Sequence, residues 1–262
     1  MIRFCSLGSG SGGNATLVEA RDGGSVTRVL VDCGFSAREL GTRLARVGLD
    51  AAAIDAVFIT HEHGDHVGCA LTLARRHGMP LWMSRGTWRA IGAPDLPDRP
   101  GAIRFARDAE SISIGGLELA PYTVPHDAQE PLQLCFSDGA RKLGVLTDVG
   151  SITPYLLERL AGCDALLLEC NHDRGLLAAS RYPASLKRRI GGAYGHLSND
   201  TAARILASVG HGGLKHVIAA HLSAENNRPE LARTSLAAAC GAHPTEIQVA
   251  GANWGFDWVG IA

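Results

Sequence analysis

Asp55-Ala-Val-Phe-Ile-Thr-His61-Glu62-His63-Gly64-Asp65-His66 is the stretch that decides the fold. Its first half is a short continuous block with β-branched and aromatic residues, the pattern of a buried strand. Its second half sets three imidazoles and the Asp65 carboxylate within six positions. The apolar residues from Val67 to Leu73 then suggest a helix. A turn from strand to helix lies at the mouth of a sheet and can point several side chains into one cleft. Crowding imidazoles and a carboxylate costs solvation and packs nothing, which disfavours a purely structural role. Nitrogen and oxygen donors at this density suit Zn²⁺, Mn²⁺ or Fe²⁺ rather than Ca²⁺.

Outward from this turn, short strands dominate the first third. Arg3–Leu7, Ala15–Ala20 and Thr27–Asp32 alternate with turns at Gly8–Gly13 and Asp22-Gly23-Gly24. Ala37–Val47 has helical spacing and stops at Gly48. A strand at Met79–Met83 and a proline-rich loop over 92–101 follow. Strands recur at Ser111–Ile114, Leu117–Val124, Leu132–Ser137 and Lys142–Thr147, the last two joined by the hairpin turn Asp138-Gly139. The second half alternates: helix Pro154–Leu160, strand Ala165–Glu169, helices near Pro183–Ile190 and Asp200–Val209, strand His216–Ala220, helix Pro229–Cys240 and strand Glu246–Ala250. This order predicts an α/β protein with two packed sheets and helices outside them, read as one domain over 1–262.

Composition narrows the function. The net charge is −1, so a nucleic-acid surface must be local. Lys187-Arg188-Arg189 and Arg75-Arg76-His77 are the tight basic clusters, and a solvated helix face explains such a cluster as readily as a binding site does. Aromatic content is 5%, which limits base stacking, and Trp82, Trp88, Trp254 and Trp258 read as core or rim. Seven cysteines without C-x-x-C spacing favour a reducing compartment. No signal-like or membrane-length apolar stretch is found, so a cytoplasmic protein with no membrane partner is expected.

Further donors follow other strands. His126, Asp148 and His221 are each the first polar group after an apolar run, as His61 is. Singly each is a weak signal. Together they place imidazole or carboxylate at four strand ends.

His-x-His-x-Asp-His at 61–66 with His126, Asp148 and His221 resembles the signature of the metallo-β-lactamase fold. The likeness implies a four-layer αββα sandwich with a two-metal cleft at one edge. It implies that His61, His63 and His126 hold one metal, that Asp65, His66 and His221 hold the other, and that Asp148 bridges. Asp32 matches a position that steadies the metal loop from behind. Phe4-Cys-Ser-Leu-Gly-Ser-Gly-Ser-Gly-Gly-Asn14, Pro125-His-Asp127, Glu169-Cys-Asn-His-Asp173, Gly195-His-Leu-Ser-Asn199 and His221-Leu-Ser-Ala-Glu-Asn-Asn227 extend it over nearly the whole chain. They look like the WalJ/YycJ branch, related to ribonuclease Z and the β-CASP nucleases. Gly64 departs from the Ser frequent in relatives.

A binuclear phosphodiesterase is the expected activity, most of all a DNA exonuclease, with two divalent ions, Zn²⁺ or Mn²⁺, per chain. Two such ions about 3.5–4 Å apart can share a hydroxide and clamp a phosphoryl oxygen. Asp65 is expected to serve catalysis as well as metal binding. His196 lies just before Ser198, the expected N-cap of a helix, where phosphate binds readily and a proton can reach a leaving oxygen. Related nucleases pair such a His with an acid, and Glu169 matches that acid by position. His172, Lys187 and Arg188, with His196, are the candidate substrate contacts. The partner is nucleic acid, DNA favoured over RNA. Gly8–Gly13 lacks the Lys-Ser/Thr ending of a P-loop and reads as a β-turn beside the cleft. A small-molecule hydrolase, such as a cyclic phosphodiesterase or thioesterase, needs the same metals and stays open. A closed structural zinc site is a poorer match, since those are often Cys-rich.

Overall fold

The structure is a computed structural model and describes residues 1–96, 98 and 101–262. β1 (Ile2–Gly8) shows how the apolar runs are used. Ile2 and Phe4 pack between two sheets, while Cys5 and Leu7 point the other way into a helical layer. A strand covered on both faces carries apolar residues at odd and even positions alike, so its pattern does not simply alternate.

The first sheet continues through β2 (Ala15–Asp22), β3 (Ser25–Val31), β4 (Ala56–Phe58), β5 (Leu81–Met83) and β6 (Ile103–Phe105). β1 to β3 are antiparallel and β3 to β6 parallel. The second sheet holds β7 (Ile112–Ile114), β8 (Leu117–Thr123), β9 (Leu132–Ser137), β10 (Lys142–Leu146), β11 (Ala165–Glu169), β12 (His216–Ala220) and β13 (Gln248–Val249). β7 to β10 are antiparallel and β10 to β13 parallel. β14 (Phe256–Ile261) returns to pair with β1, so each sheet has seven strands among the described residues.

Helices α1 (Ala37–Arg46), α2 (Gly64–Val67), α3 (Ala70–His77) and α4 (Arg85–Ala90) belong to the first half. Leu40, Leu44, Leu73 and Ala74 pack from α1 and α3 onto the first sheet. Helices α5 (Pro154–Leu160), α6 (Arg174–Ala179), α7 (Ala184–Ile190), α8 (Asn199–Val209) and α9 (Pro229–Cys240) belong to the second. Leu156, Leu160, Ile205, Leu206 and Leu236 pack from α5, α8 and α9 onto the second sheet. The result is the expected αββα arrangement. Side-chain caps set the helix starts: Ser36, Thr153 and Ser198 accept backbone N–H groups of the first turn.

One expected helix is split. The run from Val67 to Leu73 breaks at Gly68, between α2 and α3. A Cβ at Gly68 would lie 2.2 Å from the Cys33 carbonyl oxygen, and its φ of +34° is unfavourable for other residues. The close approach of the His-rich turn to the exit of β3 therefore overrides helical propensity. The expected strand Glu246–Ala250 shortens to β13 because Pro244–Glu246 form a 3-10 turn. Of the proline-rich loop, Pro97, Arg99 and Pro100 lie outside the described residues. Trp82, Trp88 and Trp258 are partly buried, whereas Trp254 is exposed.

Candidate metal centre

Most residues singled out by the sequence follow the carboxyl ends of parallel strands, where crevices form in α/β sheets, whereas His126 follows the antiparallel β8. Asp32 follows β3, His61 follows β4, Asp148 follows β10, Glu169 ends β11 and His221 follows β12. Asp32, Asp148 and His221 have φ of 60°, 52° and 54°. A left-handed non-glycine residue costs on the order of 1 kcal/mol. Here it turns the chain sharply at the end of the strand.

Three of the imidazoles are oriented from behind. Thr60 Oγ1 donates to Asp32 and so accepts from His61 Nδ1 at 3.0 Å. His126 Nδ1 donates to the Gly195 carbonyl oxygen at 3.1 Å, and His66 Nδ1 to Asp32 Oδ2 at 2.8 Å. Asp32 Oδ1 also accepts the Thr60 N–H at 2.9 Å, so one carboxylate steadies both ends of the His-rich turn. With Nδ1 engaged, the Nε2 atoms of these three rings face the cleft.

The inward atoms form the two expected groups. His63 Nδ1 lies 3.0 Å from His61 Nε2 and 3.4 Å from His126 Nε2. Asp65 Oδ2 lies 3.7 Å from His66 Nε2 and 3.8 Å from His221 Nε2. Asp148 stands between them, with Oδ2 3.2 Å from His66 Nε2 and Oδ1 4.0 Å from His126 Nε2. Within each group the donor atoms lie within 4.8 Å of one another. Asp148 Oδ2 and His221 Nε2 are nevertheless buried without an aligned hydrogen-bond partner. Leaving even a neutral polar atom in that state costs about 2–7 kcal/mol. Cations at both groups would satisfy these atoms, and five imidazoles with two carboxylates suit Zn²⁺ or Mn²⁺.

Charge is tightly coupled across the centre. Burial and the neighbouring His66 push His61 well below the ordinary imidazole range. Burial opposes charge on His66 too, but Asp148 and Asp32 outweigh it and hold its pKa well above that range. His221 is similar: burial is overcome by Asp148 and Asp65, and its pKa rises to about 10. Asp148, despite burial, is held well below the carboxylate range by His221 and His66. Divalent cations bound here would compete with the protons that the carboxylates favour on His66 and His221, so metal uptake would release protons.

His196 and Glu169 meet, with Nδ1 2.8 Å from Oε1. The other Glu169 oxygen accepts the N–H groups of Val149 at 2.9 Å and Leu197 at 3.2 Å. Burial works against the Glu169 charge, but the charge and hydrogen bond of His196 lower its pKa to about 2. Burial likewise opposes the His196 charge, and Glu169 more than compensates and raises its pKa. Glu169 also approaches His221 Nδ1 at 3.2 Å, so its oxygens are occupied by donors and it is a poor metal ligand.

Lys187 and Arg188 do not line this cleft. With His172 they line an adjoining cavity that shares His196 with it. The basic side chain in the metal cleft is Arg189, paired with Asp127 at 2.5 Å. Its helical period gives the signal: Leu186, Arg189 and Ile190 form one i, i+3, i+4 face of α7, and all three line the cleft. Ser11 borders the cleft as well, but its glycine-rich loop acts mainly as a buttress. Ser9 Oγ accepts the His221 N–H at 2.8 Å, and Asn14 N–H donates to the Asp65 carbonyl at 2.8 Å.

Residues 27–222 match the family model of the Beta-lactamase superfamily domain. The chain is 34% identical over 237 residues to an exodeoxyribonuclease YycJ of Bacillus anthracis, covering 90% of this chain and 88% of that one. It is 32% identical over 245 residues to an exodeoxyribonuclease WalJ of Streptococcus pneumoniae, covering 90% and 87%. The metallo-beta-lactamase fold protein YhfI from Bacillus subtilis superposes with a TM-score of 0.73 at 18% identity, over 98% of each chain.

Proposed function

This chain belongs to the beta-lactamase superfamily, in the branch of the YycJ and WalJ exodeoxyribonucleases, and from that membership we propose that it is a metal-dependent hydrolase that removes nucleotides from DNA. The observation that carries this reading is the pair of donor groups around Asp148, with buried atoms left over for cations. His61, His63 and His126 would hold one ion, Asp65, His66 and His221 a second, and Asp148 both. Two divalent ions bound there would supply a hydroxide at neutral pH and neutralise charge developing on a phosphoryl oxygen.

The remaining roles fall to the chain itself. Asp32 fixes the His66 ring and, through Thr60, that of His61. Glu169 holds His196 by Nδ1, which leaves Nε2 free to protonate the departing oxygen of the strand. Arg189, held by Asp127, stands ready to meet a phosphate from the cleft wall. Lys187, Arg188 and His172 contact the strand farther out. We take 1–262 as one working unit in a reducing cytoplasm, its cysteines present as thiols.

Asp65→Asn, which keeps the side chain's shape, tests the reading alongside metal analysis of the wild-type protein. Two Zn²⁺ or Mn²⁺ ions per chain are expected, with stepwise shortening of end-labelled DNA that the variant lacks. Equal DNA cleavage by variant and wild type would sink the mechanism. Faster turnover of cyclic nucleotides or thioesters than of DNA would make it a small-molecule hydrolase instead.

A further inference from the structure

Beside the metal cleft lies a cavity of about 600 Å³, a volume ample for a nucleotide-sized ligand. Arg174, Lys187, Arg188 and Arg204 line it, and His172 and His196 complete its basic wall. None of its lining residues is acidic. Of these side chains, His196 is paired with Glu169 at 2.8 Å on the side of the metal cleft, and Arg174 lies 3.7 Å from the exposed Asp200. In a chain of net charge −1, such a concentration of cations requires an explanation.

Structural duty accounts for only part of it. Arg174 Nε donates to Ser198 Oγ at 3.1 Å and its terminal nitrogen to Thr201 Oγ1 at 3.3 Å, so the guanidinium sits over the start of α8. Lys187 Nζ donates to the Ala178 carbonyl at 2.6 Å and keeps other protons available. Lys187 thereby meets a carbonyl at the C-terminal end of α6, but holding Arg174 over the start of α8 is unfavourable unless an anion joins it, because a helix N-terminus carries partial positive charge. A second observation is independent of charge. His172 is 3% exposed, lines the cavity, and has a buried Nδ1 with no hydrogen-bond partner.

We propose that this cavity is a phosphate subsite that holds the nucleic-acid strand next to the linkage being cut. The inference rests on the nuclease reading above and deepens it. His196 forms the common wall of cavity and metal cleft, so a strand spanning both passes the proton donor. The scissile phosphate lies on one side of the ring and a neighbouring phosphate on the other. Arg174 and Arg204 thereby acquire a role that sequence spacing alone does not suggest.

The double variant Arg174→Gln/Arg204→Gln, compared with wild type as metal-loaded protein, tests this. Binding of a phosphorothioate single strand is followed by fluorescence anisotropy over a range of salt. The slope of log K against log salt is expected to flatten by about 0.7 for each phosphate that the variant no longer neutralises. The ratio of kcat/KM for single-stranded DNA to that for bis(p-nitrophenyl) phosphate, whose single phosphate cannot occupy both sites, is expected to fall about ten-fold. An unchanged slope and ratio would overturn the proposal. Strands with a 5′-phosphate, a 3′-phosphate or neither identify the occupant. Selective weakening for one terminus assigns the strand end, and equal weakening assigns an internal linkage. A wild-type protein that cleaves nothing would end the nuclease reading, and the subsite would then stand or fall on the binding slope.

Discussion

Two clusters of buried charge in this molecule differ in what they leave over. Glu19 on β2 accepts Arg3 Nε at 2.6 Å, Arg21 Nε at 2.6 Å and Arg28 Nε at 2.7 Å. Register explains the convergence: Glu19 lies opposite Arg3 on β1 and Arg28 on β3, and Arg21 lies two residues along on the same face. Its charge is answered entirely within the chain. At the metal centre, Asp148 Oδ2 and His221 Nε2 are equally hidden but find no aligned partner. Burial of charge therefore does not mark a functional site. Unmet bonding capacity on donors that converge does, whereas isolated orphans such as Trp82 Nε1 and Gln133 Nε2 belong to no such group.

Asp148→Asn gives the largest effect and the sharpest separation. The amide keeps the volume but loses the charge that would face both ions. Phosphodiester hydrolysis is expected to fall about 10³-fold, equivalent to about 4 kcal/mol of transition-state stabilisation. Metal content by mass spectrometry should fall with it. Glu19→Gln should leave metal content at the wild-type level. An equal drop in metal content in both variants would break the contrast between the two clusters.

Asp32→Asn should act at the same centre but one step back from the ions. An amide can present N–H to His66 Nδ1, where the ring needs an acceptor at 2.8 Å. Metal affinity, measured by competition with a chromophoric chelator, should weaken about 10–100-fold. An unchanged affinity would mean that backbone geometry alone, including the left-handed Asp32, holds the His-rich turn.

The contrast also explains how much can be read from the residues. The strands Leu132–Ser137, Ala165–Glu169 and His216–Ala220 have the expected limits, because both their faces are covered and polar residues mark where cover ends. The donors after such strands are visible for the same reason. β14 is not legible locally, because its pairing depends on β1 at the opposite end of the chain. β6 has only three residues and is incompletely buried, so its apolar pattern is weak. The helices α4 and α6 are short, with little periodic signal. Among Lys187, Arg188 and Arg189, composition shows the basic cluster and helical period groups Arg189 with Leu186 and Ile190, but the docking of α7 decides that this face meets the metal cleft.

Glu19→Gln should have the smallest effect, confined to stability. Its arginine partners keep 18–52% of their side-chain surface exposed, so solvent screens the pairs. The destabilisation should be about 2 kcal/mol, less than the 3–5 kcal/mol typical of breaking a fully buried pair. Burial alone would raise the Glu19 pKa, but the three arginines hold it at about 2, below the ordinary 4.5. The sign follows. Glu19 contributes fully above pH 4.5, and its contribution disappears as pH falls toward 2. Asp148 and Glu169 also have lowered pKa values, so the wild-type curve alone does not isolate Glu19. The difference between wild type and Glu19→Gln in urea unfolding, measured after chelation at each pH, removes their shared contribution. That difference should shrink toward acid pH. A constant difference would mean that Glu19 titrates as it does in the unfolded chain, and the two buried clusters would no longer be opposites.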